Sequence, residues 1–167
     1  MSSEGGFDPL EGFAQIERLV AKIYFRFSHL FLHHPELRDF WWEMATQEDQ
    51  HAAILLACRE IIESYTGEVV NPSLGREKAE DLRGQLEAYL RKGTPSISVE
   101  EAFRVALEIE SSEIEAIYSR LLGLGGPKIA KTMENLGVPA SVQRHKLKLA
   151  LQRFCKDPQL LEAAGRL

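Results

Sequence analysis

Apolar residues recur along this chain at steps of three and four, the spacing of one face of an α-helix, rather than with the period of two expected of a strand. One series runs Leu10, Phe13, Glu17, Val20, Tyr24, Phe27, Phe31. A second runs Leu37, Trp41, Met44, Glu48, His51, Leu55, Cys58, Ile62, Tyr65, and a third Val99, Phe103, Ala106, Glu110, Glu113, Ile117, Leu121. The matching fourth series is Val138, Val142, His145, Leu149, Gln152. The first three are apolar except near their middles, where they turn to Glu or His.

Helix punctuation delimits the same segments. Asp8-Pro9 supplies an N-cap followed by proline at the first helical position, so the first helix is expected from Asp8 to Leu32, ending at His33-His34-Pro35. The second is expected from Pro35 to Tyr65, stopping at Thr66-Gly67. After a loop, a polar amphipathic helix over 76–91 occupies the middle of the chain. Ser98 and Glu101 form a capping box that starts the third long helix, which is expected to end around Gly123 to Gly126. The fourth, from Pro127 to about Phe154, should be broken at Gly137-Val138-Pro139. Short turns on either side of one long connection predict an all-α, four-helix bundle with a crossover that carries a short extra helix. It is read as a single domain with its core over about 8–155.

Charge in the middle of an apolar stripe needs an explanation. An isolated ionised carboxylate in a core costs several kcal/mol, so it must be neutralised, paired or bound to a cation. No Lys or Arg interrupts these stripes, and several carboxylates at one depth repel each other. A metal ion answers both difficulties. Residues i and i+3 share a helical face, so Glu48 and His51 in the segment EDQH can offer oxygen and nitrogen to one centre, while Asp49 and Gln50 point elsewhere. The competing reading, a boundary position where both reach water, would have to recur at Glu17 and Glu110. On the third helix Glu110 lies at the middle of the apolar arc and Glu113 at its edge. A gapless shift of the chain on itself superposes Tyr24 on Tyr118, His51 on His145 and Leu55 on Leu149, and places Glu48 on Val142.

Composition narrows the partners. The 167 residues carry a net charge of −5, which gives no clustered positive field for nucleic acid or an anionic membrane surface. No apolar run approaches the roughly 18 residues of a membrane span, and the first residues lack the pattern of a secretory signal, so a cytoplasmic location is expected. Cys58 and Cys155, far apart and each within an expected helix, form neither a disulfide framework nor a metal knuckle. Both read as small buried hydrophobes.

The constellation resembles the ferritin-like superfamily and, within it, the rubrerythrin-like proteins. The likeness rests on Glu17 and Tyr24 in the first helix, Glu48 and His51 in the second, the segment ALEIESSEIEAIY over 106–118, and His145. That family carries Glu on its first and third helices and Glu-x-x-His on its second and fourth. The resemblance implies metal ligation by Glu17, Glu48, His51, Glu110 and His145, with Glu113 as the extra third-helix carboxylate and Tyr24 and Tyr118 as tyrosines beside the site. It further implies iron, in a pair or alone, with manganese or zinc as other occupants, acting on peroxide or dioxygen. A homodimer is expected. Two departures stand out. No four-cysteine iron site is present, so the electron donor would be external. Val142 stands where the family's fourth-helix Glu would bridge two irons, so a second metal should bind weakly or not at all. The alternative expectation is a metal-binding or structural bundle that has lost catalysis; iron storage in an assembled shell is a third.

Overall fold

The computed structural model describes residues 6–66, 75–93, 95–112, 120–121 and 126–167. Among them are seven helices and no strand: α1 (Pro9–Leu30), α2 (Pro35–Thr66), α3 (Arg76–Lys92), α4 (Val99–Ser111), α5 (Pro127–Glu134), α6 (Ala140–Phe154) and α7 (Pro158–Ala164). The all-α expectation therefore holds.

Helix α1 begins as its sequence dictates. The Asp8 carboxylate accepts hydrogen bonds from the backbone N–H groups of Leu10 (2.9 Å) and Glu11 (3.3 Å), and Pro9 fills a position whose N–H would have no helical partner. A turn at 31–34 reverses the chain into α2. Arg59, far along α2, reaches back to Asp8 (3.4 Å) and Glu11 (3.1 Å), so the two helices run antiparallel over most of their lengths.

Their shared core centres on Trp41, fully buried against Tyr24, Phe27, Phe40 and Phe103 with ring centroids 4.8–5.5 Å apart. Phe103 brings in α4, whose start is fixed by the Ser98–Glu101 capping box. Helix α3 lies along α1, where the Arg26 guanidinium donates to the Leu90 carbonyl at 3.0 Å. Every apolar member of the first-helix series from Leu10 to Phe27, and of the second from Leu37 to Ile62, is buried.

The break at Gly137-Val138-Pro139 separates α5 from α6, as the sequence predicts. A Cβ on Gly137 would stand 2.7 Å from Ile54 Cδ1, so the glycine lets this connection lie directly on α2. Helix α6 then runs antiparallel to α2. Arg153 pairs with Glu36 at 2.6 Å, Lys146 pairs with Glu43, and Gln143 meets Glu48.

The register of α6 corrects the sequence reading. Val142, His145, Leu149 and Gln152 are exposed, whereas Gln143, Leu147, Ala150 and Leu151 are buried. This helix carries two apolar stripes, and only one can face inward. Burying Leu147, Leu151 and half of Phe154 removes more apolar area from water than burying Val142 and Leu149, and it leaves His145 and Gln152 solvated. Val142 is thus not the vacated position of a buried carboxylate. The chain also adds α7 beyond the expected core, at Asp157-Pro158, a repeat of the Asp8-Pro9 signal. No described helix is long and apolar enough to cross a membrane.

Candidate metal centre

Two helices bring three ligating side chains together. Glu17 lies seven residues before Tyr24 (24 − 17 = 7), and Glu48 lies seven after Trp41 (48 − 41 = 7). Since Tyr24 and Trp41 touch across the antiparallel seam at 5.5 Å, two turns in opposite chain directions along each helix bring Glu17 and Glu48 to the same depth. His51, one turn further on the same face of α2, completes the group. One ligand atom from each of Glu17, Glu48 and His51 lies within 4.8 Å of the others. All three residues are buried, with 3–4% of their surface exposed.

The hydrogen bonds orient the group. His51 Nε2 is 2.9 Å from the Val138 carbonyl oxygen. A carbonyl only accepts, so Nε2 carries the proton and donates. Nδ1 then faces Glu48 Oε2 at 3.2 Å. Two acceptors do not attract at that distance, so a proton or a cation must lie between them. The other carboxylate oxygen, Oε1, accepts from Gln143 Nε2 at 2.6 Å, across from α6. An imidazole whose outer N–H is held by a backbone carbonyl, with its other nitrogen turned toward carboxylates, has the tautomer of a metal ligand.

Tyr24 borders the group. Its hydroxyl donates to Glu110 Oε1 at 3.0 Å. Complete burial, followed by the charges of Glu110, Glu48 and Glu17, pushes its phenol well above its usual value, so it stays protonated and serves as a donor. The linkage has a definite sign. A raised folded-state pKa adds stability that is fully present below the unfolded value of 10.0 and is lost as pH rises above it. Stability should fall by about 1.4 kcal/mol per pH unit through that alkaline window from this group alone. In Tyr24→Phe that component should vanish, at a cost of about 1 kcal/mol at neutral pH for the lost hydrogen bond; denaturant melts of both proteins from pH 7 to 11 measure the difference.

The other expected ligands fall differently. Glu110 is half-buried and engaged with Tyr24, and it does not join the three-residue group. His145 is exposed on the outer face of α6 and is not among the three residues that the described structure brings together. Its apparent equivalence with His51 came from a gapless shift, and the helix is rotated away from that register. Glu113 and Tyr118 lie outside the described residues. Two partners that the sequence reading did not pick out are Gln143 and the Val138 carbonyl. Gln143 had one signal, as the polar residue four before Leu147 on the stripe that is buried. A backbone carbonyl has no sequence signal.

The cysteines take no part. Both are buried free thiols, and burial raises their pKa, that of Cys155 to about 11 with help from Glu100 and Asp157. They therefore remain in the poorly nucleophilic thiol form.

Comparison of the chain with protein-family models, curated proteins and solved structures gave no match.

Proposed function

We propose that Glu17, Glu48 and His51 hold a redox-active metal ion, and that the protein is a rubrerythrin-like, ferritin-like oxidoreductase acting on peroxide or dioxygen with an external electron donor. The observation that carries this reading is the buried Glu17–Glu48–His51 group with His51 held by Val138 so that Nδ1 turns inward. Two carboxylates and one imidazole suit iron, manganese and zinc, and the first two support redox work. On α6, Lys146 pairs with Glu43 and Arg153 with Glu36, so neither of these two serves as the counter-charge for Glu48.

Iron in this position would supply one-electron chemistry and an open coordination position for an oxygen substrate. The chain's own residues do the rest. Glu17 and Glu48 provide anionic oxygens that balance the charge of a divalent ion, and His51 presents Nδ1 in a fixed tautomer. The surrounding core excludes water and strengthens these interactions. Tyr24, kept protonated, is a hydrogen-bond donor at the edge of the site.

Near-complete burial of the three residues favours a second reading, in which a metal only pins α1 to α2 without turnover. The two are separated by loading the metal-free protein with ferrous iron and following its oxidation by hydrogen peroxide. The redox reading expects oxidation faster than that of free ferrous iron and its loss in Glu17→Ala. Bound iron that oxidises no faster than free iron would leave the structural reading.

A further inference from the structure

One short piece of chain holds both members of the Glu48–His51 pair. The Val138 carbonyl accepts from His51 Nε2 at 2.9 Å, and the Gln143 amide donates to Glu48 Oε1 at 2.6 Å. The two contacts are tied to each other. The Gln143 backbone N–H closes the first turn of α6 on the Pro139 carbonyl at 3.1 Å, and Pro139, beside Val138, has its φ fixed by its ring. Building on the metal-centre reading above, we infer that residues 138–143 form a clasp whose docking on α2 sets the affinity of the centre, so that metal binding and the docking of α6 reinforce each other.

The clasp supplies none of the three ligating side chains, since Glu17 comes from α1 and Glu48 and His51 from α2. Its part is to hold the two from α2 in place. A glutamate side chain samples several rotamers when free, and an imidazole turns about its own bond. Fixing both before the ion arrives removes that ordering cost from the binding step. The amide also keeps its own place, because Gln143 is buried with 2% exposure. Gly137 seats the segment, as a Cβ there would stand 2.7 Å from Ile54 Cδ1 on α2.

Coupling of this kind is reciprocal. The affinity that the docked clasp gives to an ion is returned by the bound ion as resistance of the clasp to opening. The metal should therefore protect α6, an element that carries none of the three ligands, and Gln143 should act as a positioning residue.

The test uses the full chain, stripped of metal and then saturated with Mn2+. Hydrogen exchange is followed by mass spectrometry, and Mn2+ affinity is measured alongside. In wild type, Mn2+ should slow the amides of 140–147 about tenfold or more beyond any slowing in α3, which packs along α1. In Gln143→Leu, which removes the donor and keeps an apolar side chain in its place, Mn2+ should bind about 10–100-fold more weakly. The excess protection of α6 should then be lost even at saturation. Arg153→Ala removes an exposed pair between α6 and α2 away from the centre, and should keep wild-type affinity. Equal slowing of α3 and α6 in wild type, or wild-type affinity in folded Gln143→Leu, would overturn the inference. If Gln143→Leu fails to fold, the exchange comparison in wild type still decides. A wild type that binds no Mn2+ would instead overturn the metal-centre reading on which the inference stands.

Discussion

Saturating the metal-free protein with a divalent ion should raise its melting temperature by about 5–11 °C, and the gain should disappear in His51→Ala. A ligand that binds only the folded state stabilises it by about 2.7 kcal/mol when its free concentration is a hundred times its dissociation constant. For a chain of this size, each kcal/mol moves the melting temperature by about 2–4 °C. The unfolded chain cannot reproduce the site, because Glu17 and the Glu48–His51 pair come from different helices. Removing the imidazole deletes the one nitrogen donor of the three-residue group and leaves Glu48 Oε2 and the Val138 carbonyl without their His51 contacts. The metal-free variant should therefore also lose about 3 kcal/mol. Differential scanning calorimetry of both proteins, with and without Mn2+, reads both effects. Equal metal-induced shifts in wild type and His51→Ala would place the bound ion elsewhere.

Truncating the aromatic hub should have the largest effect on stability. Trp41→Ala removes a fully buried side chain that touches four aromatic rings from α1, α2 and α4, and should cost about 3–5 kcal/mol. That is a large share of the roughly 5–15 kcal/mol that holds a typical domain together. The loss should not stay local. Tyr24 packs on Trp41 and donates to Glu110, so the cavity frees the ring that borders the Glu17–Glu48–His51 group. Trp41→Phe separates the two contributions. The Trp41 indole N–H is buried without a hydrogen-bond partner among the described residues, so phenylalanine removes an unsatisfied donor while keeping most of the ring contacts. It should cost far less than alanine and leave metal binding near wild type. Urea melts with Mn2+ titrations on the two variants would check this; a Trp41→Ala cost below about 1 kcal/mol would contradict the packing account.

The parts of the fold and the site that could be read from the sequence are those where charge interrupts an otherwise apolar series. Glu17, Glu48 and His51 each occupy a step of three or four between residues that are fully buried, and a helix offers no way to bury Phe13, Val20, Trp41 and Leu55 while leaving those charges in water. Helix starts were equally plain where a side chain caps the backbone, as at Asp8 and Ser98. Helix α6 was ambiguous for a physical reason. It is amphipathic twice over, and the match of His145 to His51 favoured the stripe that faces solvent. Total apolar burial settles the rotation, and that depends on what α2 and α4 offer as a surface, which no local pattern contains. Gln143 went unnoticed because a neutral amide on a polar helix is ordinary until the residue opposite is known to be a buried carboxylate.

The central claim is that Glu17, Glu48 and His51 form one metal centre. Equilibrium dialysis of metal-free wild type and His51→Ala against the same Mn2+ buffer, with metal counted per folded chain, tests it most directly. The account predicts bound metal in wild type that falls to background in His51→Ala. Background metal in both proteins, or equal binding by both, would contradict it.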